Sequence, residues 1–243
     1  MRDYLLDIVS HTHDLGTIDL IKITGDANQT IIDGIASNKT VVVKGAFTVP
    51  SAELTGTFGM PNLNNLKTLL NLEAYKEDSS ITLTTITADG QTVPTGLHFE
   101  NKDADFKNDY RFMVKDVVDN QLKSVQFKGT TWGVEFNPTI ASTQRLKMMA
   151  STNNTEVSFQ TKLDGDRLMV YFGDHSTHAG EFVFQTGVSG TLNKTLSWPT
   201  EVVIKILDLA GDKTMRISDS GIAEITVNSG LIEYSYLIPA LSK

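Results

Sequence analysis

Helix starts recur at one interval in both halves of this 243-residue chain. Apolar residues at helical spacing begin near Arg2 and Pro61 in the first half and near Thr139 and Pro199 in the second. The two intervals are 59 and 60 residues. Strand-like sequence follows each of them. Three starts carry a proline, at Pro61, Pro138 and Pro199. The N–H that proline lacks has no intrahelical partner in a first turn, so proline suits that position. A helix-then-strands unit used four times predicts a symmetric α+β architecture of two similar domains. The reading along the chain places them at 1–115 and 131–243, with 116–130 as an interdomain connector.

In the first half, Tyr4, Leu5, Ile8 and Val9 form a stripe that ends at Gly16. Strands are expected at Thr17–Thr24, Thr30–Ala36 and Thr40–Val49, separated by Gly-Asp-Ala-Asn and Ser-Asn turns. Leu63, Leu66, Leu69 and Leu70 mark the second helix. Strands follow at Ile81–Ala88, Thr92–Glu100 and Tyr110–Lys115, the first two joined by the hairpin signal Asp89-Gly90. The stretch from Lys115 to Lys128 has no clean period and reads as a crossing segment. In the second half, Trp132–Asn137 reads as a strand before a helix to Ala150. Strands are expected at Glu156–Leu163, Arg167–Phe172 and Glu181–Val188. A helix at Thr200–Leu209 competes with the β propensity of Glu-Val-Val-Ile-Lys-Ile-Leu. Lys213–Ser218, Ala223–Val227 and Leu231–Ile238 close the chain.

Composition removes several function classes. With 40% apolar and 21% charged residues, the chain can bury a core. No apolar run reaches the roughly 20 residues needed to span a bilayer. Acidic residues interrupt the apolar stretch at the N-terminus, which does not read as a signal peptide. Cysteine is absent, which excludes disulfide frameworks, thiolate metal sites and cysteine nucleophiles, and fits a cytoplasmic setting. A net charge of −8 argues against wrapping nucleic acid over the whole surface but leaves room for a small basic patch. No phosphate-binding loop or dinucleotide fingerprint is present. Asp164, Asp166 and Asp174 read as turn and loop residues rather than a carboxylate cluster. His175 and His178 have a metal-compatible spacing but no helix to fix them, and read as a solvated loop. His11 and His13 read as helix-end residues that cap or solvate. No enzyme, cofactor or metal is expected.

The ending, from Trp198-Pro199-Thr200 to Tyr236-Leu237-Ile238-Pro239, resembles the C-terminal end of DNA polymerase sliding clamps. Its parts are a short helix, Met215-Arg216-Ile217-Ser218-Asp219-Ser220-Gly221, a turn at Gly230 and a closing Tyr-Leu-Ile-Pro strand. Chain length matches the two-domain, trimeric type of clamp, and the ending is most similar to clamps of large tailed bacteriophages. One departure is that a helical pattern begins almost at Met1, where the family has a strand.

The resemblance implies a DNA-clamp fold, with helices on one face of curved antiparallel sheets, and a ring of three copies around double-stranded DNA. Its function would be to tether a replicative DNA polymerase, with a clamp loader as a further partner. Such a ring needs inner helices poor in carboxylates, so that phosphates are attracted without sequence readout. Asn62–Leu72 contains Lys67 and no acid; Thr139–Ala150 contains Arg145 and Lys147 and no acid. Lys205 stands in the fourth helix beside Glu201 and Asp208. These four cations are the expected DNA-facing residues, and they read equally as ordinary solvated helix positions. In the family a partner peptide docks between the connector and the last strand. By position, Tyr236, Ile238 and Pro239 correspond to that pocket, with Val118 and Leu122 completing it. Alternation along a final strand also explains Tyr236 and Ile238 as core. The rival reading is a structural virion component, a tail or capsid-associated β protein, which needs no recurring helix pair.

Overall fold

Leu5, Ile8 and Val9 form the buried stripe of helix α1 (Arg2–His11), as their spacing predicts. The computed structural model describes residues 1–88, 91–122, 129–174 and 179–241. The chain divides into two units, Met1–Val125 with Ser229–Tyr234, and Gln126–Asn228 with Ser235–Lys243.

In the first unit α1 leads into β1 (Leu20–Gly25), β2 (Thr30–Ile35), β3 (Val42–Phe47) and β4 (Gly56–Pro61). Then come α2 (Leu63–Asn71), β5 (Ser80–Ala88), β6 (Gln91–Glu100), β7 (Lys107–Arg111), β8 (Met113–Val114) and α3 (Lys115–Gln121). One antiparallel sheet runs β8-β4-β1-β2-β3 and a second runs β5-β6-β7. Burial alternates along β1 and β2, with Ile21, Ile23 and Ile32 fully inside. Leu63, Leu66, Leu69 and Leu70 are the buried face of α2.

The second unit opens with β9 (Val134–Phe136) and α4 (Ile140–Thr152). It continues through β10 (Ser158–Asp164), β11 (Arg167–Phe172), β12 (Gly180–Gln185), β13 (Leu196–Pro199) and α5 (Thr200–Asp208). The last strands are β14 (Asp212–Ser218), β15 (Ile222–Asn228) and β16 (Ile232–Pro239). Its sheet order β13-β10-β11-β12 repeats β4-β1-β2-β3, and β14-β15-β16 repeats β5-β6-β7. The helix recurrence in the sequence is therefore the trace of a duplicated topology. In α5 the 3.6-residue period prevails over β propensity, because Val203, Ile206 and Leu207 share one buried face.

Several boundaries differ from the sequence expectation. Pro61 ends the unexpected strand β4, and Asn62 turns the chain into α2 with φ 52°, a left-handed geometry that asparagine tolerates. Pro199 likewise closes a strand, β13, before it caps α5. The expected strand Tyr110–Lys115 breaks at Phe112, whose ring stacks on Phe58 at 4.3 Å. The connector begins as helix α3; its residues 123–128 lie outside the described residues, as do Asp89-Gly90 and His175 and His178. Among the described residues no helix is long and apolar enough to cross a membrane.

Candidate nucleic-acid interface

Each unit packs two helices side by side, and in each a lysine of one helix meets an aspartate on the other or in the turn just after it. In the first unit α2 lies beside α1. Lys67 Nζ is 2.8 Å from Asp14 Oδ1, in the 3-10 turn after α1. Arg2 donates to the carbonyls of Tyr75, at 2.8 Å, and Leu70, so its guanidinium satisfies acceptors at the end of α2. The exposed side of α2 consists of Asn64, Asn65, Thr68 and Asn71.

In the second unit Lys147 on α4 is 2.6 Å from Asp208 on α5, and Lys205 is 2.7 Å from Glu201 one turn back on its own helix. Arg145 is exposed; its Nη2 lies 3.5 Å from the Phe184 carbonyl, and it has no carboxylate partner among the described residues. Its neighbours on the open side of α4 are Gln144, Ile140 at 83% exposure and Met148 at 69%. Lys213 donates to the Leu209 and Gly211 carbonyls at 2.5 and 2.9 Å, and burial lowers its pKa.

The acid-free character of α2 and α4 could be read directly from the sequence. What neutralises their lysines could not, since Asp14 and Asp208 lie far along the chain from the lysines they meet. Ion pairs this exposed contribute at most about 1 kcal/mol each, yet each cancels a positive charge on its helix.

Of the residues assigned to a peptide pocket, Val118 and Leu122 stand one turn apart in the first unit, with Leu122 N–H donating to the Val118 carbonyl at 2.8 Å. Val118 is fully buried and Leu122 nearly so. In the second unit Tyr236 and Ile238 are fully buried on β16 and Pro239 is exposed. Asp119, next to Val118, has its pKa lowered, first by the hydrogen bond from Lys115 at 2.9 Å and further by Lys22 at 3.3 Å. These contacts fix α3 beside β1.

His11 is more than a helix-end residue. It is buried, bonds the Asp7 carbonyl at 2.9 Å and stacks on Tyr234 with ring centroids 4.6 Å apart. Asp7 also accepts from Ser229 Oγ and Tyr234 Oη at 3.0 and 2.9 Å, which fastens 229–234 to α1. Asp164 pairs with Arg167 across the turn at Gly165, as a turn residue should. Among the described residues no group of three metal-ligating side chains comes together.

No protein-family model and no curated protein sequence matches this chain. Solved structures do. PCNA from Thermococcus kodakaraensis superposes with a TM-score of 0.70 at 12% identity, over 99% of this chain and 97% of that one. The structure of the C-terminal region of FEN-1 bound to A. fulgidus PCNA matches with a TM-score of 0.68 at 9% identity, covering 100% of this chain and 95% of that chain. The likeness extends over nearly the whole of each chain at low sequence identity, and the chain has the α+β clamp fold of PCNA.

Proposed function

We propose that this chain is a sliding clamp of the two-domain type, with domains 1–115 and 131–243 and a connector at 116–130. Three copies close into a ring around double-stranded DNA and tether a replicative DNA polymerase in the cytoplasm. The clamp does no chemistry. It turns repeated rebinding of the polymerase into a high effective concentration at the template. The observation that carries this reading is the duplicated unit, in which each half sets a helix pair on the same strand order and one helix of each pair lacks carboxylates. A virion β protein need not have that repeat. A clamp loader is the ATP-driven partner that opens such a ring, and the similarity of the ending to phage clamps belongs to the same proposal.

Lys67, Arg145, Lys147 and Lys205 are the proposed DNA-facing cations. Arg145 is the one with charge to spare, because the other three each meet a carboxylate. Val118, Leu122, Tyr236, Ile238 and Pro239 are the proposed residues of the partner-peptide pocket. The C-terminal region of FEN-1 bound to the A. fulgidus protein supports docking of a partner's terminal segment.

Electron microscopy and solution mass test the ring. A closed annulus with three times the 26.7 kDa chain mass and a hole wide enough for duplex is expected. Tubes or solid particles would favour the virion reading instead. In a primer-extension assay, Arg145→Glu should shorten clamp-dependent products more than Lys147→Glu. Equal product lengths for both variants and wild type would remove these helices from the DNA-facing surface.

A further inference from the structure

We propose that α2 meets the DNA phosphates chiefly through the neutral carboxamides of Asn64 and Asn65, the charge of its DNA-facing Lys67 being balanced by Asp14. This rests on the clamp reading and specifies how that surface touches its ligand.

The chain holds 29 acidic residues, yet α2 has none, and its exposed side carries Asn64, Asn65, Thr68 and Asn71. The one cation on α2, Lys67, is held 2.8 Å from Asp14. The backbone donors at the start of the helix are also taken. Leu63 N–H reaches the Asp19 carbonyl and Asn64 N–H reaches Asp19 Oδ1, each at 3.3 Å. An anion arriving at α2 therefore finds neither a spare cation nor an open helix terminus.

Side-chain donors remain. Thr68 Oγ1 gives its proton to the Asn64 carbonyl at 2.9 Å, and Asn71 Nδ2 donates to the Lys67 carbonyl at 2.8 Å. The carboxamides of Asn64 and Asn65 have no hydrogen-bond partner among the described residues, and each presents two N–H donors to solvent. On α4 of the second unit the exposed Gln144 offers the same chemistry.

A polyanion is the occupant these features suit. The helix has donors and no carboxylate of its own, and the neighbouring Asp14 and Asp19 are engaged by Lys67 and by His13 and the Asn64 N–H, in a protein whose net charge is −8. Neutral donors release few counterions, so their contacts depend little on salt. A lysine–phosphate contact adds about 0.9 to the salt exponent. Weak, salt-insensitive contacts orient a ring on the duplex without arresting it.

The experiment tracks fluorescently labelled full-length protein threaded on a long linear duplex whose ends are then blocked, at about 50 and about 200 mM salt. Asn64→Ala/Asn65→Ala, at exposed helix positions where alanine favours the fold, should raise the sliding coefficient by about two-fold or more, by the same factor at both salts. A double-amide variant that slides like wild type, or differs only at low salt, overturns the inference and leaves the clamp reading standing. Wild-type protein that is lost equally from blocked and open duplexes overturns the clamp reading, and the inference with it.

Discussion

His98 on β6 sits between two carboxylates, 2.8 Å from Asp109 on β7 and 3.4 Å from Glu100 on its own strand, with Thr82 of β5 as its other cross-strand neighbour. The hydrogen bond to Asp109 is the largest cause of a pKa raised above the usual value, partly opposed by desolvation and reinforced by Glu100. Both carboxylates are correspondingly lowered. His98 drives the shift of Asp109, and Lys107 then His98 drives that of Glu100. A raised histidine pKa stabilises the fold fully below the unfolded value near 6.5, and this contribution is lost as pH climbs through the folded value. Melting temperature should therefore fall between about pH 6 and about pH 8, and His98→Gln should flatten that slope. An unchanged slope in the variant would mean that the cluster is electrostatically idle. None of this was visible in the sequence, because antiparallel register brings Asp109 opposite His98 only once β6 and β7 have paired. The same holds for Lys67: its charge is a property of the sequence, and its neutralisation by Asp14 is a property of the packing.

Helices in this fold are short, and their ends matter in proportion. Among the described helices only α4 has a side-chain N-cap bond, with Thr139 Oγ1 accepting from Ser142 N–H at 3.0 Å. Thr139→Ala should cost about 1 kcal/mol, read as a lower urea midpoint with unchanged slope. The Pro-Thr start that announced α4 in the sequence thus has a physical basis. Elements that were not legible lacked such a signal. Gly56-Thr-Phe-Gly-Met-Pro carries two glycines and a proline, yet forms β4, because β1 on one side and β8 on the other supply its ladder. Helix α3 has too little apolar periodicity to be read alone and is positioned by contact. A Cβ at Gly59 of β4 would come within 2.8 Å of Val118 Cγ2 and 3.0 Å of Met113 Cβ. Gly59→Ala should therefore lift α3 from β4 and destabilise the first unit by about 1–3 kcal/mol, measurable by urea unfolding. Hydrogen exchange that quickens in 113–122 before it does elsewhere would locate the effect.

For the whole molecule the consequence of duplication lies at the sheet edges. The outer edge of β3 is covered by the segment that opens β16. Thr48 N–H donates to the Leu231 carbonyl at 2.9 Å, and Ile232 packs at Gly45. By the repeat, β12 is the counterpart of β3 and β7 the counterpart of β16, yet β12 and β7 each end their sheets among the described residues. An open edge strand such as β12, with Phe182 and Val183 half-exposed and Glu181 its one charge, invites pairing. In the proposed ring, β12 of one copy adds to β7 of the next, a head-to-tail contact that closes after three. Proline tests this directly. A free edge tolerates it in the single chain, but it removes a donor from any added ladder. N–H directions alternate along a strand, so one of Phe182→Pro and Val183→Pro strikes the outward donor. The variant that keeps its far-UV circular dichroism should sediment at the 26.7 kDa of one chain where wild type sediments at three times that mass. A well-folded edge-proline pair that both remain trimeric would exclude β12 as the joining strand, and the ring would then have to close through another edge.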